Sequence, residues 1–584
     1  MSRLLRSIAF LVSCAWPVSV VAQSVPSPTK PEASSLQLVT TDTASTLSLQ
    51  PIARGTQVQI NDRLFDIPWQ QWQLETGVIQ TGIGDTGLVD TLGIQLNSSN
   101  DPNWQPFEWF GEFETNAIRD DRDRYLDISR LALANGWQVR TIGDLLQIDM
   151  PIARINQARV GRQNWGKRIV FDLDRASAWQ IEWRDRWVIS IDATARNIDN
   201  NNTFDVQTSA GRTEILLDSE IRTPPRVFTL SDRPRLVIDI GADPVQDFDI
   251  LWHSGIRWRQ QMLAVGDRRV PAIWLEVDPT QTSLSLRPIW NQFDTQTGTE
   301  ALVEIARRNH ATAAINAGFF NRNNQLPLGA IRSDGNWHSG PILHRGVMAW
   351  NEAGEFAFDR LSIAEMVVLP EGDRLPILHL NSGYVQAGMG RYTPEWGSVY
   401  TNILDRETIV VVADNRILDR IETEKAGQTD VAIPNNGYVL VVRSDSGTVN
   451  RLAVGTEVAI ELSSDPADLD RFPYIIGAGP LLLQNRQIVL DAESEQFNPQ
   501  FSTARAVRSA IGRRSDGNLI VIAVQGNVTL EETAAIVRDL GAVDALNLDG
   551  GSSTALFLGG QLINRDPRTA APIHNAIGIF IGDR

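Results

Sequence analysis

The 584-residue chain has a single cysteine, Cys14. If that residue leaves with a cleaved leader, the mature fold can rely on neither disulfides nor thiolate metal sites. Positive charge is scarce as well: 53 Lys and Arg against 70 Asp and Glu give a net charge of -17, which excludes a uniformly basic surface for nucleic acid. Beyond the extreme N-terminus no apolar run reaches the roughly 20 residues of a spanning helix, so none is expected in the mature chain. Familiar catalytic signatures are also missing. The sequence has no His-Glu-x-x-His zinc pattern and no Gly-x-Ser-x-Gly elbow. Asp544, Asn547 and Asp549 lack the spacing of an EF-hand, so no cofactor is expected and any metal would be structural. "GRQNWGKR", Gly161 to Arg168, nearly spells a nucleotide-binding P-loop, but Arg168 stands where Ser or Thr is needed and a strand follows instead of a helix.

What is present begins with an export pattern. Arg3 and Arg6 precede a mostly apolar Ile8–Val21, and Val20-x-Ala22 fits a cleavage site, so residues 1–22 read as a signal peptide. Pro17 interrupts the run and argues against an anchor. "LVSC", Leu11 to Cys14, also resembles a bacterial lipobox, which would tether the protein through a lipidated Cys14. Residues 23–48, rich in Ser, Thr, Pro and Gln, read as a flexible linker. The expected location is the periplasm or the cell exterior.

Mainly β modules should come next. In 49–152, "TQVQINDRLFDIPWQQW" alternates about the turn pair Asn61-Asp62, and a short helix over Ile128–Ala134 closes at Asn135-Gly136. This α+β unit resembles the N-terminal stalk domain of copper amine oxidases. In 153–248 the motif "RIVFDL" returns as "WVISID" and "RLVIDI", which predicts a β-sandwich. With "RPRLVIDIGADP", this unit resembles the AMIN domain, and the likeness implies contact with peptidoglycan. Of 17 tryptophans, 13 lie between Trp69 and Trp290. Exposed ones could stack on sugars, although filling small β cores is the more ordinary role.

The chemistry is expected in 249–584, where all six histidines fall. Thr529–Glu532 is a capping box for a helix ended by Gly541, and "VDALNL" is then a strand with Asp549 at its end. In "DALNLDGGSSTALFL" the glycines Gly550 and Gly551 allow successive N–H groups to face one anion, with Ser552, Ser553 and Thr554 adding hydroxyl donors. "AAINAGFFNRNNQLPLGA" sets Asn316 and Gly318 at a second strand end. Two glycine turns with capping side chains would explain either stretch alone.

Together with "LPLGAIRSDGNW", "GAGPLLLQN" and "RSAIG", these blocks resemble, in order and spacing, the phosphodiester glycosidase family with its uncovering-enzyme-like catalytic domain. The likeness spans about 270–584 and implies an α+β domain with a mixed sheet and helices. It departs from the family's usual pattern in having two glycines after Asp549 and Ser509 after Arg508. The implied reaction is hydrolysis of sugar-1-phosphodiesters in envelope or extracellular glycans. Asp549 would be base or nucleophile and Arg508 the phosphate clamp, since a guanidinium matches phosphate oxygens. Gly550, Gly551, Ser552 and Ser553 would hold developing charge, and Asn316, Gly318, Ser509 and Asn547 would line the sugar site. "HLNSGYVQAGMGRYTPEWG" adds Asn381, Tyr392 and Thr393, with Trp396 as a stacking surface. His344 and Arg345 of "WHSGPILHRG" are secondary candidates beside His338; Glu395 and Asp334 could supply a second carboxylate. The competing readings are a non-catalytic envelope glycan-binding protein and an exopolysaccharide assembly factor.

Overall fold

The computed structural model describes residues 51–582 apart from 121, 197, 282 and 293. The signal peptide, the linker and Cys14 lie outside the described residues. Those described fall in one compact unit that begins at Leu49.

Sheet membership follows the chain in three parts. Residues 51–149 build a seven-stranded and a four-stranded sheet, and the turn at Asn61-Asp62 joins antiparallel strands Gln57–Ile60 and Arg63–Phe65. The helix is Ser129–Ala134, and its C-cap Asn135 is followed by Gly136 at φ +66°. In 153–240 a five-stranded sheet faces a four-stranded one. The inward side chains of alternating strands, such as Ile169, Phe171 and Leu173 against Ile189, Ile191 and Ile215, form their shared core. Most of the tryptophans also fill cores: Trp69, Trp72, Trp109, Trp252 and Trp274 are buried, whereas Trp183 is 37% exposed.

The third part centres on an eight-stranded sheet that is antiparallel throughout. A mixed sheet with helices is the expectation for this part. Parallel pairing in this part is confined to Arg374–Leu380 with Gly388–Tyr392, in a separate seven-stranded sheet, and the helices are short. "LIVIAV" is apolar at every position because both faces of Leu519–Val528 are covered. Leu519, Val521 and Ala523 join the main core, while Ile520, Ile522 and Val524 lie under helix Leu530–Asp539 through Ala534, Ile536 and Val537. That helix has the full capping box, with Thr529 Oγ1 accepting from the Glu532 amide and Glu532 from the Thr529 amide.

Beside Leu519–Val528 runs the strand Ala506–Arg514, and beside that Ala542–Asn547. Ala510 pairs with Asn547, so the antiparallel register sets Arg508 across from Asp549 just past the strand's end. A five-stranded sheet holds Ala313–Asn316 between Asn575–Ile581 and Leu556–Leu558. The chain leaves the large sheet at Asn547, turns through Asp549–Thr554 and enters this smaller sheet at Leu556. The candidate site lies at that crossing.

Candidate functional site

Asp549 is tied at the junction by its backbone. Its amide donates to the Ala317 carbonyl at 2.9 Å, and its carbonyl accepts from Asn316 Nδ2 at 2.6 Å. The side chain is half-buried. Gly550 N donates to Oδ1 at 2.9 Å, and Ser553 adds a side-chain hydrogen bond. Burial pushes its carboxyl up from 3.8 to about 6, over the opposing pull of Ser553, Gly550, Arg322 and Arg508. The donors expected to cradle a substrate anion therefore include two that hold Asp549 itself. Gly551 has φ +63°, which favours glycine, and a Cβ on Gly550 would approach Val507 O to 3.1 Å. The exposed Ser552 uses its carbonyl to accept from Ala571 N at 2.9 Å.

Arg508 is buried, at 2% exposure, in the wall beside Asp549. Its Nη2 donates to the Ala504 carbonyl at 2.7 Å and its guanidinium lies 5.1 Å from the Phe501 ring centre. Among the described residues no carboxylate bonds to it and Nη1 has no hydrogen-bond partner. Asp549 and Glu531 are the acids that act on it electrostatically. Nε and Nη2 also reach the Val528 and Phe501 carbonyls at 3.5 Å, so it is a positioned cation held by backbone carbonyls, with Nη1 left over.

The predicted sugar-contacting residues are distributed differently. Asn316 is fully buried, and its Oδ1 accepts from Ser509 Oγ at 2.8 Å and from Ala555 N at 3.0 Å. With both ends of its buried amide engaged, Asn316 is a strut that ties the Asp549 backbone to Ser509. Ser509 is equally buried and committed to that contact. Asn547 Nδ2 donates to the carbonyls of Gly479 and Leu548, at 2.8 and 2.9 Å, while its Oδ1 is buried without a partner. Gly318 lies where a Cβ would come within 2.8 Å of Gly477 O, and its amide donates to Asn575 Oδ1 at 2.8 Å.

Asn381, Tyr392 and Thr393 belong to the seven-stranded sheet and its flanking loops. Asn381 Nδ2 donates to Trp337 O and to Thr393 Oγ1, at 2.7 and 2.8 Å. Tyr392 donates to Ser382 O at 3.0 Å and accepts from Arg443, whose other partners include Glu407 and Tyr400. Trp396 is 5% exposed and edge-on to Tyr392, so it offers no ring to a sugar. His338 hydrogen-bonds Glu395 O at 3.2 Å, and burial lowers its pKa. His344 is exposed and paired with Ser362 Oγ at 2.9 Å. Glu395 accepts from Thr393 at 2.5 Å and Asp334 from Tyr474 at 2.9 Å.

Arg345 does reach the site's border, where its guanidinium lies 4.0 Å from the centre of Phe497. Three further contributors complete this border. Phe319, Phe497 and Phe501 form an aromatic cluster with centroid separations of 5.5, 5.7 and 5.1 Å. Glu495, fully buried, accepts from Gly346 N, Leu481 N and Arg360 Nε, which anchors the segment carrying two of those rings. Arg565 Nη1 spans the carbonyls of Gly551, Ser552 and Thr554 at 3.3 to 3.4 Å and so braces the turn after Asp549. Motif spacing could have flagged Arg565 as a charge near a glycine turn; nothing local marks Glu495.

Among the described residues no group of three or more His, Cys, Asp or Glu side chains could hold a metal. A small cavity of about 20 Å³ lies apart, between Leu286, Trp350 and Tyr474. A wider hollow of about 360 Å³ opens beside Arg486, Arg513 and Arg514; there Arg513 is paired with Asp544 and Arg514 with Glu276. Neither is lined by Asp549.

An antiparallel sheet ending in an acidic glycine turn opposite a buried arginine is the frame in which the comparisons fall. Residues 406–580 match the family model for phosphodiester glycosidase, a span that takes in Arg508, Ser509 and Asp549 but not Asn316, Gly318 or Arg345. A hypothetical protein from Synechocystis with a crystal structure is 40% identical, over 91% of this chain and 99% of its own, with a TM-score of 0.85. The chain belongs to the family of that Synechocystis protein and carries a phosphodiester glycosidase domain in its C-terminal part. A Burkholderia pseudomallei protein described as exported is 17% identical, over 73% of this chain and 96% of its own, at a TM-score of 0.45. The zebrafish N-acetylglucosamine-1-phosphodiester alpha-N-acetylglucosaminidase catalytic domain is also 17% identical, over 57% of this chain and 83% of its own, at 0.30. No curated protein matches.

Proposed function

We propose that the chain is an exported hydrolase that cleaves the bond between a sugar's anomeric carbon and a phosphodiester oxygen in envelope or extracellular glycans. The observation that carries this reading is the pairing of a half-buried Asp549, its carboxyl held near 6, with a cation that no carboxylate neutralises. A phosphate monoester leaves readily, so one carboxylate can suffice where ordinary glycoside cleavage uses two. Asp549 acts ionised, either attacking the anomeric carbon or taking the proton of an attacking water. A pKa near 6 keeps it ionised at neutral pH yet more basic than a free aspartate. As the glycosidic C–O bond breaks, its electron pair leaves with the phosphate, and the Arg508 charge offsets the growing negative charge. Water supplies the hydroxyl that ends on the sugar.

Export rests on the N-terminal pattern, and contact of the front parts with peptidoglycan rests on their sequence likeness alone. The test is release of free sugar from a sugar-1-phosphodiester by the purified protein and by Asp549→Asn. The variant should lose activity by about a thousandfold or more. Equal rates would show that the wrong residue is assigned. Binding without turnover in both forms would favour the glycan-binding or assembly reading.

A further inference from the structure

Arg345 and Arg508 cap the two ends of one aromatic stack. Arg508 lies over Phe501 at 5.1 Å, Phe501 stacks on Phe497 with centroids 5.1 Å apart, and Arg345 lies over Phe497 at 4.0 Å. Phe319 stands edge-on to both rings, which joins the stack to the strand end that holds Asp549. Arg345 is half-buried, yet its hydrogen bonds go to backbone carbonyls alone, Glu495 O at 3.2 Å and Gln496 O at 3.5 Å. The nearest acid, Glu495, is already paired with Arg360 at 3.0 Å and with two backbone amides. The turn that delivers Arg345 is strained, since Leu343 and His344 both take left-handed φ, +56° and +51°. Such strain is not needed to place a surface arginine. In a chain of net charge -17, Arg345 is held on a ring and by backbone carbonyls alone, with no bonded carboxylate, which leaves its charge for an anion from outside.

We infer that the substrate is a polyanion: Arg345 binds a second oxyanion of the same glycan, lying beyond the scissile phosphodiester on its leaving-group side. This rests on the proposed reaction for its direction along the stack. The second group, phosphate or carboxylate, meets a planar guanidinium already fixed against Phe497, so little ordering is left to binding. Arg345 is thereby a specificity-determining residue of the site.

Titration calorimetry on the full chain tests this without turnover. Diol bisphosphates of increasing chain length are compared with the matching monophosphates, and a parallel series of ω-carboxyalkyl phosphates separates phosphate from carboxylate as the second group. For at least one length the two-anion probe should bind about tenfold tighter than its one-anion counterpart. Arg345→Gln should abolish that gain and leave monophosphate affinity within about twofold, while Arg345→Lys should keep part of it. The inference is overturned if no length shows a gain, if neither probe binds, or if Arg345→Gln weakens both alike with an unchanged melting temperature. A variant that melts early is judged through Arg345→Lys, in which an undiminished or wholly absent gain at native stability likewise overturns it. Loss of hydrolysis in the sugar-release assay with the two-anion gain intact would sink the reaction and leave this subsite standing.

Discussion

Burial holds the Asp549 carboxyl near 6, against 3.8 for an ordinary aspartate, although Ser553, Gly550 and two arginines favour its ionised form. Below 3.8 the group is protonated whether the chain is folded or not. Between 3.8 and about 6 the folded protein keeps a proton that the unfolded chain has released, so stability falls as pH rises through that window. Above it the deficit is constant. Asp549→Asn removes the ionisation penalty, and denaturant unfolding should show it more stable than wild type at pH 7 by up to about 3 kcal/mol, with most of the difference gone at pH 4. A variant that is inactive and no more stable would mean the carboxylate is better solvated than its surroundings imply. In the sequence Asp549 stands out as an acidic glycine turn after a recognisable strand, and Arg508 as an arginine inside strand Ala506–Arg514, two residues before the register pair. The sequence could not show that Asn316, Ser509 and Asn547 turn inward, since their partners lie far along the chain, 193 residues between Asn316 and Ser509 and 68 between Asn547 and Gly479.

At the scale of the element, the segment from Asp491 to Arg505 has little regular structure beyond the five-residue helix Pro499–Thr503, yet it supplies Phe497, Phe501 and the carbonyls that hold both arginines. Its order depends on Glu495, buried among Gly346 N, Leu481 N and Arg360. Glu495→Ala leaves those donors and a partly buried guanidinium unpaired, a loss of about 3 kcal/mol. Chemical denaturation should report that loss, and KM should rise more than kcat falls, because the rings and carbonyls shape binding while Asp549 stays tied to Ala317 and Asn316. A fall in kcat with KM unchanged would count against this division. The alternation and capping of regular elements could be read along the chain, as the box at Thr529 shows. Segment 491–505 could not, because its anchors lie in three other strands and its own pattern is neither helical nor alternating.

Across the whole molecule, the front part is joined to the C-terminal half by more than chain connectivity. Asp85 and Arg124 form a fully enclosed ion pair at 3.0 Å; Asp85 also accepts from Trp252 Nε1 at 2.9 Å and Arg124 donates to Gln105. Thr86 Oγ1 donates to Gly559 O at 3.0 Å, on the turn that follows strand Leu556–Leu558, and Ser99 exchanges backbone hydrogen bonds with Asp249 and Leu251. Further on, Arg568, in the short turn Pro567–Thr569, reaches Glu182 of the middle part at 2.6 Å. These links give the three parts one cooperative unit, so wild-type unfolding should be a single calorimetric transition. Arg124→Met leaves the Asp85 carboxylate buried, where desolvation already raises its pKa, without its guanidinium. That should remove about 3–5 kcal/mol and split the transition, the front part melting first. Asp549 is tied to Ala317 and Asn316 and to no residue of this seam, so the variant's activity well below its first transition should match wild type. Separate transitions in the wild-type protein would show that the front part folds on its own account and that the enclosed pair is a local feature.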